Sequence, residues 1–162
     1  MLKFINKRSK SIKFITTSAV IGAIYAILSI AFAPISYGLF QVRIAEALTV
    51  LPAFTPAAIP GLFVGCVIAN VIGGNGPLDI IFGSLATLVA AILSYKMPKK
   101  YLVPLPPVLV NAVIIGILLS YILKISAFIA IGWVTLGQIV ACYGIGYPLL
   151  IQLEKYKSRL FK

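Results

Sequence analysis

Glu46 and Asp79 are the two acids of this chain that stand against long apolar runs, and the third, Glu154, lies among tail lysines. A carboxylate beside hydrocarbon is costly unless it faces a partner or a cavity. Each is therefore a candidate to receive N–H donors or a cation from a small solute. Gln41, Arg43, Asn70, Asn75, Asn111 and Gln138 also interrupt or border apolar runs. They supply guanidinium and amide donors and amide acceptors, the kinds of group that orient a ligand in an apolar cleft. Rings complete such a site. Tyr37, Phe40 and Trp133 stand where they can stack on a flat ligand, whereas Tyr101, Tyr121 and Tyr147 read as anchors at the membrane interface.

The chain offers no catalytic arrangement beside this binding chemistry. It has no His, and Cys66 and Cys142 are far apart within apolar segments, where they read as small buried hydrophobes. No metal site or cofactor is expected from these residues. Neither a nucleophile elbow nor a phosphate-binding loop of the G-x-x-x-x-G-K type is present. The expectation is a non-enzyme, since a membrane enzyme would have only Glu46 or Asp79 as acid or base. If the chain moves a solute uphill, the energy must come from elsewhere.

Each polar residue also has a purely structural reading. Arg43 and Glu46 are three apart and can neutralise each other on one helix face. Asp79 precedes an apolar run and can cap a helix. Asn111 and Gln138 can join helices by hydrogen bonds. Convergence separates the two kinds of reading, because a bundle of this size needs no polar cluster on one side for stability, whereas a ligand site does.

The elements that must position these residues are membrane helices. Of 162 residues, 61% are hydrophobic and 10% charged, well outside the composition of soluble domains. Apolar stretches fall at about 14–34, 42–54, 59–73, 79–95, 101–123 and 126–151, which predicts an all-α integral membrane protein with a six-transmembrane-helix bundle. The chain reads as a single membrane domain over 1–162, with basic tails at 1–13 and 152–162. The run at 14–34 is too long for the core of a signal peptide, the other reading of a basic start before an apolar run. The second and third stretches, at about 13 to 15 residues, reach only about 20 Å as helix against a hydrocarbon core near 30 Å. With Pro52, Pro56 and Pro60 around their junction, they are either broken helices inside the protein or a re-entrant hairpin.

Charge sets the orientation. Lys3, Lys7, Arg8, Lys10, Lys13, Lys96, Lys99, Lys100, Lys155, Lys157, Arg159 and Lys162 lie in the two tails and one loop, leaving Arg43 and Lys124 for the opposite side. This places both termini in the cytoplasm of a multi-pass plasma-membrane protein, and it assigns the net charge of +11 to lipid headgroups rather than nucleic acid. With six spans, Gln41, Arg43, Glu46, Asn70, Asn75 and Asp79 all fall in the outer half, while Asn111 and Gln138 lie about 15 to 18 Å into their helices. Small residues then indicate packing faces. Ala19 and Ala23, beside the parallel row Ser18, Gly22 and Ala26, flatten one side of the first helix for close approach by this bundle or by another subunit. Gly61, Gly65 and Ala69 form a second such row, expected to pack internally.

Four motifs in order resemble the queuosine-precursor transporter family: Gln41-Val42-Arg43-Ile44-Ala45-Glu46-Ala47-Leu48-Thr49, Gly65-Cys66-Val67-Ile68-Ala69-Asn70, Leu78-Asp79-Ile80-Ile81-Phe82-Gly83-Ser84-Leu85-Ala86-Thr87, and Pro106-Pro107-Val108-Leu109-Val110-Asn111. The resemblance covers about Ser18 to Tyr147. It implies a substrate-capture S component of an energy-coupling factor importer, with a six-helix fold and an outward-opening solute pocket. It also implies a transmembrane coupling subunit and two ATPase subunits as partners, and a deazapurine-like queuosine precursor as solute. An A-x-x-x-A motif docks the coupling subunit in such proteins and matches Ala19 and Ala23; the loop after the first helix, here about Pro34 to Gln41, closes over the ligand. The alternatives are an S component for another metabolite or vitamin, and a structural membrane subunit that transports nothing.

Overall fold

The computed structural model describes the backbone of residues 2–36 and 41–160, and the side chains of 10–36 and 41–157. All regular structure among the described residues is helical. The α-helices are α1 (Leu2–Ala31), α2 (Ala33–Ser36), α3 (Ala58–Ile72), α4 (Ser84–Tyr95), α5 (Leu105–Leu123), α6 (Ala127–Gln138) and α7 (Tyr147–Leu160). A 3₁₀ helix occupies Ile44–Ala53, and wider π-helical turns at Asp79–Gly83 and Ile139–Gly146 lead into α4 and α7.

Helix α1 has 30 residues, about 45 Å, so it is helical through the basic segment that precedes its apolar part. Among the described residues, three helical stretches are long and apolar enough to cross a membrane: Lys10–Ala31, Lys100–Leu123 and Ala127–Lys157. Ile44–Ala53, Ala58–Ile72 and Asp79–Tyr95 are shorter apolar helices. Large apolar side chains such as Ile27, Val71, Ile117 and Phe128 are exposed on the outside. A water-soluble protein would bury that surface, whereas lipid solvates it without penalty, and the chain is a membrane protein. Helix α5 starts behind Pro104, with Pro106 in its first turn, where a missing N–H costs nothing, and ends at Lys124 in the left-handed conformation.

The 3₁₀ helix is the centre of the arrangement. It packs against α1, α3, α4, α7 and the π-helical turn at Ile139–Gly146, and every residue from Ala45 to Pro52 is buried. A segment that is apolar on all sides has no solvent face and belongs inside. The expected second helix at 42–54 is thus present as a 3₁₀ element. Its greater rise stretches ten residues over about 20 Å, where an α-helix would cover about 15 Å.

Around this centre the helices adjoin in the order α1, α3, α4, α5, α6. Glycines set the closest approach. A Cβ on Gly61 would lie 2.5 Å from the Ser18 carbonyl oxygen, and one on Gly65 would lie 2.6 Å from that of Gly22. Ser18 Oγ also donates to the Ala57 carbonyl at 2.7 Å, tying α1 to the start of α3. The row Gly61, Gly65 therefore packs internally, against Ser18 and Gly22. Gly65→Ala should force the two backbones apart and destabilise the protein by about 1 to 3 kcal/mol, read as a lower melting temperature in detergent.

Candidate functional site

The polar cluster begins with a backbone turn. Gln41 has φ of +43° and its carbonyl accepts the Arg43 amide at 2.8 Å, a tight turn that starts the segment just before the 3₁₀ helix. A non-glycine residue held at positive φ carries strain that the surroundings must stabilise. Gln41, Arg43 and Glu46 are all buried, so the entry to the 3₁₀ helix carries three hydrophilic side chains into the protein.

The side chains of Arg43 and Glu46 are directed at different partners. Arg43 Nη2 donates to Asn70 Oδ1 at 3.1 Å, and Nη1 to Cys66 Sγ at 3.6 Å. Glu46 Oε1 accepts the Tyr25 hydroxyl at 2.5 Å and lies 3.2 Å from Thr87 Oγ1. Glu46 is 1% exposed, and its Oε2 has no hydrogen-bond partner among the described residues. Leaving a buried acceptor unsatisfied costs about 1 to 3 kcal/mol, and more for a charged group, so this atom stands out.

Asn70 is the hub. Its Oδ1 accepts from Arg43 and from Asn75 Nδ2, at 3.1 Å in each case, and its Nδ2 lies 3.1 Å from the Asp79 carbonyl oxygen. The same Nδ2 would lie 3.2 Å from a Cβ on Gly83, so the missing side chain there leaves room for the amide. The π-helical turn Asp79–Gly83 thereby meets α3 at the amide of Asn70. Asp79 sits in the first turns of a helix that begins at Pro77, and its side chain caps nothing among the described residues. Arg43, Asn75 and the Asp79 carbonyl are thus joined at Asn70 of α3, whereas Glu46 faces Tyr25 of α1 and Thr87 of α4, and Gln41 is buried at the turn before Arg43.

Asn111 and Gln138 form a second group. Asn111 Nδ2 donates to Gln138 Oε1 at 3.1 Å, joining α5 to α6, and both residues are buried. The Cys142 thiol lies between the groups, 3.5 Å from Gln138 Oε1 and 3.8 Å from the Glu46 carbonyl oxygen. Asn111→Leu removes one interhelical bond. It should lower stability by about 1 kcal/mol and affect ligand affinity far less than changes at Glu46, as thermal unfolding and binding titrations will read. Trp133 is partly buried on α6. Tyr37, Phe40 and the middle of the predicted closing loop, residues 37–40, lie outside the described residues.

The family described as the QueT transporter matches residues 15–155, most of the chain. The chain belongs to the QueT transporter family. A queuosine precursor transporter QueT of Lactococcus lactis subsp. cremoris (strain MG1363) is 35% identical over 97 residues. That alignment covers 59% of this chain and 56% of the relative, little more than half of its length. No solved structure matches the chain.

The residues matched to the QueT transporter family include the whole cluster and the small residues of α1. Three members of the cluster escaped the reading of the sequence: Tyr25, Thr87 and Cys66. Cys66 was expected to be only a small hydrophobe. It is fully buried, yet its sulfur lies within 3.6 Å of donors on Arg43, Asn70 and Thr87. Hydroxyls in an apolar run signal little by themselves, because Ser and Thr can bond to their own helix. A tyrosine buried in the middle of α1 is the stronger signal, since its hydroxyl needs a partner there.

Proposed function

We propose that this QueT family member is the substrate-capture subunit of an energy-coupling factor importer and takes up a queuosine precursor of the 7-deazaguanine type. The observation that carries the reading is Glu46: a carboxylate at 1% exposure, with one oxygen engaged by Tyr25 and the other without a protein donor among the described residues. A guanine-like edge offers a ring N–H and an amino group side by side, the complement of a carboxylate. Arg43 serves the ligand carbonyl, and an aminomethyl cation on the ligand pairs with Asp79. Asn70, held by Asn75, orients Arg43 rather than touching ligand, because its amide is already occupied within the protein. Trp133 stacks on the ring, and Asn111 with Gln138 closes the inner side.

In this reading the single domain crosses the plasma membrane six times with both termini in the cytoplasm, and the ATPases are separate chains. The coupling subunit docks at Ala19 and Ala23. Both are exposed, and they line an apolar groove of about 380 Å³ between α1 and α3, with Ile15, Pro60, Val64 and Ile68. The test is a thermal-shift and calorimetric screen of the purified chain, without partners, against purines, deazapurines and vitamins. Saturable binding of 7-deazaguanines supports the reading. Binding of a vitamin in their place reassigns the solute, and binding of nothing in the panel removes the capture role.

A further inference from the structure

The two oxygens of Glu46 are not equivalent. Oε1 is held by Tyr25 at 2.5 Å, the short distance of a hydroxyl bonded to a carboxylate. Tyr25 is itself immobilised: it is fully buried, belongs to the same apolar cluster as Ile21, Leu48, Leu62 and Cys66, and its helix is clamped to α3 through Gly22. Thr87 Oγ1 is also near Oε1, but its one proton has three acceptors in reach: Oε1, the Gly83 carbonyl at 3.1 Å and Cys66 Sγ at 3.5 Å. Tyr25 therefore fixes the carboxylate, and Thr87 contributes part of the time.

We infer that Tyr25 is a positioning and specificity-determining residue, which anchors Oε1 of Glu46 so that Oε2 meets an amino group on the ligand, and that the site therefore selects solutes with a 2-amino group beside a ring N–H. This rests on the deazaguanine reading above. Tyr25 acts through the carboxylate and not by touching the solute. A fixed acceptor discriminates strongly against a ligand that lacks the matching donor, because binding then leaves the buried oxygen unsatisfied. A carboxylate free to rotate can find other donors, and the discrimination falls.

The test uses the full chain in detergent, with 7-deazaguanine and its 2-desamino analogue 7-deazahypoxanthine as probes, and reads the ratio of their affinities by calorimetry. Wild type should favour 7-deazaguanine by about 10-fold or more. Tyr25→Phe should weaken 7-deazaguanine by about 10-fold and leave the analogue nearly unchanged, collapsing the ratio toward one. Thr87→Val should reduce the ratio by a smaller factor, and Thr87→Ser should keep it. A Tyr25→Phe chain that loses both affinities equally, or keeps the wild-type ratio, overturns the inference. So does a wild type that binds both probes alike, an outcome that leaves the capture role standing. A wild type that binds neither overturns the deazaguanine reading and this inference with it. Should Tyr25→Phe prove unfolded, the ratio in Thr87→Val decides: an unchanged ratio rejects the anchoring of Oε1.

Discussion

Glu46→Gln should weaken 7-deazaguanine binding by about 10- to 100-fold while the protein still folds, since a hydrogen bond to a charged group contributes about 1.5 to 3 kcal/mol. The substitution keeps the shape of the side chain and removes its charge. Gln can place its amide nitrogen toward Tyr25, whose hydroxyl oxygen can then accept, or toward the position of Oε2. In the first orientation a neutral carbonyl replaces the carboxylate in front of the ligand. In the second, an N–H donor confronts the ligand's own donors. Either way affinity falls, and isothermal titration with a melting temperature on the same sample separates this from unfolding. An affinity within about twofold of wild type would remove Glu46 from the site.

Ala19→Leu combined with Ala23→Leu should abolish uptake by the assembled importer and leave solute binding by the isolated chain unchanged. The small residues of α1 divide between two tasks. Ser18 and Gly22 lie against Gly61 and Gly65, close enough that neither glycine can gain a Cβ without backbone movement. Ala19 and Ala23 are exposed along the neighbouring groove. Two leucines there would fill the space a partner helix needs for close approach, and association in lipid depends on that approach. The internal contacts of α1 are left intact, so the fold should tolerate the change. Co-purification with the coupling subunit is the direct readout, and recovery of an intact complex would assign the groove some other role.

Much of this organisation is legible in the chain itself, for definite physical reasons. Apolar run length and proline placement point to the stretches that hold α3, α5 and the 3₁₀ helix, because hydrocarbon thickness and the missing proline N–H act locally. Rarity makes Glu46, Arg43 and Asn70 conspicuous, and Arg43 does bond Asn70, while Glu46 bonds Tyr25. The geometry of Ile44–Ala53 is not legible: ten nearly all apolar residues, eight of them buried, carry no periodicity with which to tell 3.0 from 3.6 residues per turn. Nor is the choice of partner. Arg43 and Glu46 are spaced to pair on one helix, yet Glu46 bonds Tyr25, 21 residues away, and Arg43 bonds Asn70, 27 residues away. Those distances in sequence are bridged by tertiary packing alone. The row Ser18, Gly22 and the row Ala19, Ala23 look equally flat in sequence, and only the position of α3 shows which one faces inward.

The role of Glu46 is decided by where the solute sits relative to one of its oxygen atoms. A structure of the chain bound to 7-deazaguanine measures this directly. We expect the 2-amino nitrogen within about 3 Å of Glu46 Oε2, with Tyr25 still on Oε1. A solute lodged elsewhere, with Oε2 receiving its hydrogen bond from the protein, would contradict the account.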